Sequence, residues 1–144
     1  MTAQLLANVP VLVLVRDVVQ RRTIARALED AGAWVTEAER ALQGMAFSQG
    51  GVELIIVDPD LPDSDGLELI LQMKRHYRTA HVPLLLVSAA PIAAVDRVVG
   101  RDGADRYLTH PVDPAELVDI AVDLLRLADD ERVERERAAL GVDS

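Results

Sequence analysis

The 144-residue sequence contains no cysteine, which excludes disulfide bracing and thiol catalysis and suits a reducing compartment. Aromatic side chains are almost missing too, with one Trp, one Phe and two Tyr. A core must then be built from Val, Leu, Ile and Ala, a composition common in parallel sheets covered by helices. Basic residues are outnumbered, 15 Lys and Arg against 24 Asp and Glu, for a formal net charge of −9. That excess repels phosphate backbones and anionic lipid, so neither nucleic acid nor a membrane is expected as a direct partner. The longest early apolar stretch, Val11 to Val15 after Pro10, is too short to span a bilayer and lacks the basic flank of a signal peptide. It reads as a strand, and a cytoplasmic location is expected. The turn Arg16-Asp17-Val18-Val19-Gln20 lacks glycine, which argues against a dinucleotide or P-loop site. His76, His81 and His110 have no metal-ligand spacing. The Asp-rich turn before Gly66 is no EF-hand, because alignment on that glycine puts Leu61 at the first ligand position and Gln72 at the last.

What is present is an alternation. Short β-rich runs occur at Val11 to Val15, Ala33 to Val35, Leu54 to Val57, Leu84 to Val87 and Tyr107 to Leu108, with helical patterns between them. Strands alternating with helices imply right-handed crossovers and a parallel sheet covered on both faces. The spacing predicts a first helix over Val18 to Ala31, with Ile24, Leu28 and Ala31 inward and Arg21, Arg22, Arg26, Glu29 and Asp30 on the opposite face. A second is expected over Ala38 to Phe47. A third follows Gly66 with Leu67, Ile70, Leu71 and Lys74 on one side, and a short fourth covers Ala93 to Val99. The fifth has the best start signal, Asp113 as N-cap, Pro114 at the first helical position and Glu116 after it, with the stripe Leu117, Ile120, Ala121, Leu124 and Ala128. The chain thus divides into a domain over residues 8–128 and a charged segment over 129–144, either a solvated helical extension or a disordered linker. Such a segment could also carry a homodimer contact or lead to an output domain.

Asp58 ends the run Val52 to Val57 and opens the turn Asp58-Pro59-Asp60-Leu61-Pro62-Asp63-Ser64-Asp65-Gly66. A carboxylate at the carboxyl end of a buried strand sits where open α/β sheets place their chemistry. On that residue alone, a reactive group and a plain turn residue are equally good readings.

Across residues 10–128 the pattern resembles the receiver domain of two-component response regulators. The stretch Val57 to Leu69 is similar to that family's phospho-acceptor strand and the loop after it. Pro83 to Ala89 resembles the fourth strand, and Gly103 to Pro111 the fifth strand with its closing dipeptide. The resemblance implies a flavodoxin-like, doubly wound five-stranded parallel sheet. It makes Asp58 the phospho-acceptor, Ser88 the hydroxyl that contacts the phosphoryl group, and Tyr107 a switch residue that responds to it. It also implies a sensor histidine kinase or other signalling protein as partner, within a phosphorelay.

Departures from the family pattern alter the expected chemistry. Val15 and Arg16 stand where typical receivers carry the acidic pair that holds Mg²⁺, and a guanidinium repels a dication where oxygen ligands are needed. Asp17, Asp58 and the backbone of Asp60 are the only ligands left, so no resident metal, or weak Mg²⁺ at most, is expected. His110 stands where the family has a lysine, and with a reference pKa near 6.5 a permanent cation becomes a conditional one. Arg16 is expected to reach Asp58 and take the place of the metal. The sequence thus points to an atypical receiver with weak or absent Mg-dependent phosphorylation that acts by protein–protein contact and is not an enzyme. A conventional phospho-accepting regulator is the alternative. A remote one is an aspartate-nucleophile phosphohydrolase, suggested by Asp58-Pro59-Asp60 but short of downstream ligands and offering only Lys74 as a lysine after Asp60.

Overall fold

The computed structural model describes residues 4–89 and 104–141. In chain order its elements are β1 (Pro10–Leu14), α1 (Val18–Asp30), β2 (Trp34–Ala38), α2 (Ala41–Ser48), β3 (Leu54–Val57), α3 (Gly66–Arg75), β4 (Leu84–Ser88), β5 (Arg106–Thr109) and α4 (Pro114–Ala139). The expected helix over Ala93 to Val99 lies outside the described residues. All the pairings are parallel and the order is β2-β1-β3-β4-β5, a doubly wound sheet with β2 at one edge.

The apolar runs explain this arrangement. A central parallel strand buries both faces, so every residue of β3 and β4 is apolar or, at Ser88, a buried hydroxyl. Alternate residues divide between two cores. Val11, Val13, Leu54, Ile56, Leu85 and Val87 meet α1 and α4 on one face, whereas Leu12, Leu14, Ile55, Val57, Leu84 and Leu86 meet α2 and α3 on the other. No aromatic enters either core: Trp34, Phe47, Tyr77 and Tyr107 are all exposed.

Several local expectations need correction. β2 begins one residue later than expected and runs on to Ala38, so α2 starts only at Ala41. The buried face of α3 is Leu69, Ile70 and Met73, at helical spacing, while Leu67 and Leu71 are half-buried at its margin. Arg21 does not face solvent. Its guanidinium folds over the end of the first strand, donating to the Val15 carbonyl at 2.9 Å and to Glu37 at 3.1 Å. Asp113 occupies the N-cap position of α4 but makes no side-chain cap bond, so Pro114 marks that start. α4 runs unbroken to Ala139, and from Asp129 on its residues are exposed. There Arg132 bonds Asp129 and Glu136 within the helix, at 2.6 and 3.0 Å. No described helix is long and apolar enough to cross a membrane.

Candidate functional site

Asp58 follows β3 directly, and its backbone N–H donates to the Leu14 carbonyl of β1 at 2.9 Å, which fixes the turn to the sheet. Gly66 lets the next helix start against this turn, since a Cβ there would come within 2.8 Å of the Asp58 carbonyl oxygen. Asp58 is 8% exposed, and each of its carboxylate oxygens has a partner. Oδ1 accepts from the Asp60 backbone N–H at 2.8 Å, and Oδ2 faces His110 Nε2 at 3.0 Å.

His110 reaches this position because it follows β5 and its own N–H donates to the Ser88 carbonyl at 2.8 Å, extending the β4–β5 ladder by one residue. The His110–Pro111 peptide is cis. An ionised carboxylate only accepts hydrogen bonds, so in the neutral ring Nε2 carries the hydrogen. Nδ1 is then left as a buried acceptor with no partner among the described residues. Ser88 sits buried at the end of β4, level with Thr109, and Tyr107 points outward at 47% exposure. The fold therefore gathers Asp58, Ser88 and His110 at the carboxyl ends of adjacent strands and leaves Tyr107 at the surface.

The side of the site formed by the first strand differs from expectation. Val15 is wholly buried in the core and its backbone is spent on Ala38 and Arg21. Arg16 does not pair with Asp58. Its Nη1 lies 3.5 Å from Asp60 Oδ1, with both side chains largely in solvent. Pairing with Asp58 would have required desolvating a guanidinium to meet a carboxylate whose oxygens already have donors, a cost that solvent contact avoids. Asp17 is also committed, because its Oδ1 accepts from the Gln20 N–H at 2.9 Å as the N-cap of α1.

Sequence reasoning passed over three further carboxylates. Asp65 caps α3 through the Leu67 N–H at 2.9 Å. Asp63 accepts from Ala41 N at 2.7 Å and Leu42 N at 3.1 Å, capping α2 across the site loop where Arg40 supplies no cap of its own. Those two backbone bonds, Ala41 first, hold the Asp63 carboxyl below its ordinary pKa. Asp105 joins Lys74 to the start of β4, accepting from Lys74 Nζ at 3.2 Å and from Leu84 N at 2.7 Å. Asp63 follows Asp58 by five residues in an acidic turn, but nothing in sequence marks the distant helix that it caps.

The family model for the response regulator receiver domain matches residues 11–122. The chain belongs to the response regulator receiver family. The receiver is 38% identical over 104 residues to the DNA-binding dual master transcriptional regulator RpaA of Synechocystis sp., covering 71% of this chain and 43% of that protein. It is 37% identical over 100 residues to the phosphate regulon transcriptional regulatory protein PhoB of Pseudomonas aeruginosa, covering 68% and 43%. The chain thus spans less than half the length of these two regulators. Among solved structures, a CheY-like receiver domain protein from Methanospirillum hungatei superposes with a TM-score of 0.76 at 22% identity, over 87% of this chain and 99% of that one. The receiver domain of the sensor histidine kinase PA1611 from Pseudomonas aeruginosa, with magnesium coordinated in its active-site cleft, gives 0.75 at 22% identity over 83% and 98%.

The residues here fit such a metal poorly. Val15 offers no side-chain ligand and its carbonyl accepts from Arg21, the Asp17 carboxylate caps a helix, and Arg16 lies against Asp60. Among the described residues no group of three or more His, Asp or Glu side chains is placed to hold a metal ion.

Proposed function

We propose that this receiver domain is an atypical member of two-component signalling, with weak or absent Mg-dependent phosphorylation at Asp58, that works through protein–protein contact. The observation that carries this reading is the double occupancy of the Asp58 carboxylate by the Asp60 N–H and His110 Nε2. A nucleophile attacks with a lone pair, and each oxygen here already commits one of its two lone pairs to a hydrogen bond, which lowers its nucleophilicity. Charge neutralisation is weakened as well. An incoming phosphoryl group would find neither an acidic metal cradle nor a permanent cation at position 110, and electrostatic stabilisation is the larger part of phosphoryl-transfer catalysis.

On this reading the domain needs no metal or other cofactor, is not a dedicated catalyst, and operates in the cytoplasm. Its partners are a sensor histidine kinase or another signalling protein, and an output domain where one is attached. The charge of −9 argues against direct contact with nucleic acid or a membrane surface. The retained Asp58, Ser88 and Tyr107 favour the second reading, a conventional phospho-accepting regulator.

Incubation with a small-molecule phosphodonor, with and without Mg²⁺, followed by intact-mass measurement separates the two. The expected spectrum shows the unmodified mass in both conditions. Stoichiometric gain of one phosphate that depends on Mg²⁺ and is lost in Asp58→Asn would establish the conventional regulator.

A further inference from the structure

The loop that carries Asp58 also supports a helix that is not its own. α2 has eight residues, no charged side chain, and Gly44 at its middle. Helices of this length are marginal in isolation, and an interior glycine weakens them further. Its first turn has no local cap. Arg40 stands at the N-cap position and makes no side-chain cap bond, so the N–H groups of Ala41 and Leu42 need a partner from elsewhere. The Asp63 carboxylate supplies it, one oxygen to each N–H, at 2.7 and 3.1 Å.

The remainder of α2 is held by other means. Gly44 lies so close to β1 that a Cβ there would meet the Leu14 side chain at 2.5 Å, and the Ser48 hydroxyl donates back to the Met45 carbonyl at 2.7 Å. Ahead of Gly44 only the small Ala41 side chain is buried, and Leu42 beside it is 81% exposed. The first turn therefore rests chiefly on Asp63. That residue is tied in turn to the phospho-acceptor position. Asp58 Oδ1 accepts from the Asp60 N–H at 2.8 Å, and an isolated antiparallel bridge between Asp60 and Asp65 closes the loop that presents Asp63.

We propose that Asp63 is a latch coupling the state of Asp58 to the order of α2: the loop in its present position keeps the first turn formed, and an event at Asp58 that shifts the loop releases it. The second state is an uncapped, frayed turn, and opening at a helix end is among the least costly local unfolding events. A coupling of this kind is reciprocal, so a change imposed on α2 acts back on the site loop. The latch makes no use of a phosphoryl group and holds for either reading of the function.

Amide hydrogen exchange in the whole chain, followed by NMR at residues 41–45 relative to the central strand β3, tests it. Asp63→Ala should speed exchange in α2 about tenfold, the loss of a helix cap. Asp58→Ala, which removes the acceptor of the Asp60 N–H, should speed it several-fold in the wild-type background and not at all once Asp63 is replaced by alanine. Gly66→Ala shifts the same loop from its other side, because its Cβ would press on Pro59 and on the Asp58 carbonyl, and should act in the same way. Arg40→Ser gives α2 a cap of its own. It should restore slow exchange to Asp63→Ala and abolish the response to Asp58→Ala and Gly66→Ala. Exchange in α2 that ignores both loop variants would reduce Asp63 to a static cap, and equal responses with and without its carboxylate would mean that the coupling bypasses it. Either result overturns the proposal.

Discussion

The two flanks of Asp58 combine charge and contact in opposite ways. On the β5 flank His110 contacts the carboxylate at 3.0 Å without carrying a permanent charge. On the β1 flank Arg16 carries a permanent charge and makes no contact, its guanidinium lying 3.5 Å from Asp60. Burial accounts for the difference. His110 is held by a backbone bond to Ser88 with its side chain 6% exposed, so its direction is imposed by the sheet. Arg16 stands on a turn with more than half of its side chain in solvent, where hydration competes with any single carboxylate. A charge matters to a site only where the fold takes away its freedom to leave.

The comparison is broken most strongly by rebuilding both flanks. Val15→Asp with Arg16→Asp and His110→Lys should convert a chain with no phosphate gain into one that takes up a full phosphate in the presence of Mg²⁺, read by intact mass. Val15→Asp alone should destabilise the domain by about 3 kcal/mol in urea unfolding, because it buries an unpartnered carboxylate. Added Mg²⁺ should then raise the melting temperature of the triple variant and leave that of the wild type where it was.

His110→Ala isolates the β5 flank. Removing the ring leaves Asp58 Oδ2 without its donor, and a loss of about 1–3 kcal/mol in equilibrium unfolding is expected. A variant as stable as the wild type would mean that water replaces the imidazole at no cost.

Asp63→Asn tests the loop that joins the site to α2. Its melting temperature should fall at neutral pH, since the carboxylate accepts two helix N–H groups that an amide satisfies less well. The sign of the pH dependence follows from the lowered pKa of the folded state. The contribution is fully present above the unfolded carboxyl value near 3.9 and disappears as pH falls through the folded value, so the two proteins should converge in acid.

The smallest effect belongs to Arg16→Ala. An exposed ion pair contributes little, so stability in urea unfolding should change by less than about 0.5 kcal/mol. A loss of more than about 1 kcal/mol would point back to the Arg16–Asp58 pair that the sequence suggests.

How much of this was legible beforehand varies with the range of the interaction. The strands of the sheet could be read from runs such as Leu54 to Val57, because a strand buried on both faces has no choice but to be apolar throughout. Asp58 could be read as a candidate from its place after such a run and the Pro/Gly turn that follows, with a plain turn residue an equally good reading until the receiver motifs were added. Helix caps were read half correctly: Asp113 looked like a cap and makes no side-chain cap bond, whereas Asp17 looked like a metal ligand and caps α1. The same side chain serves either purpose, and only the position of the helix N–H groups decides. Asp63 and Asp105 were invisible as anchors because their partners, Ala41 and Leu84, are more than twenty residues away.

The sequence by itself determined the aliphatic double core and the residue types around Asp58, which depend on composition, period and order along the chain, and its motifs carried the resemblance to the receiver family. The tertiary structure alone decided which charges meet: that His110 touches Asp58, that Arg16 turns to Asp60, and that the uncharged α2 lies over the β2 edge strand. The reason is that side-chain electrostatics falls off over a few ångströms, while neighbours in sequence can point to opposite sides of a turn and residues 52 positions apart can share one hydrogen bond.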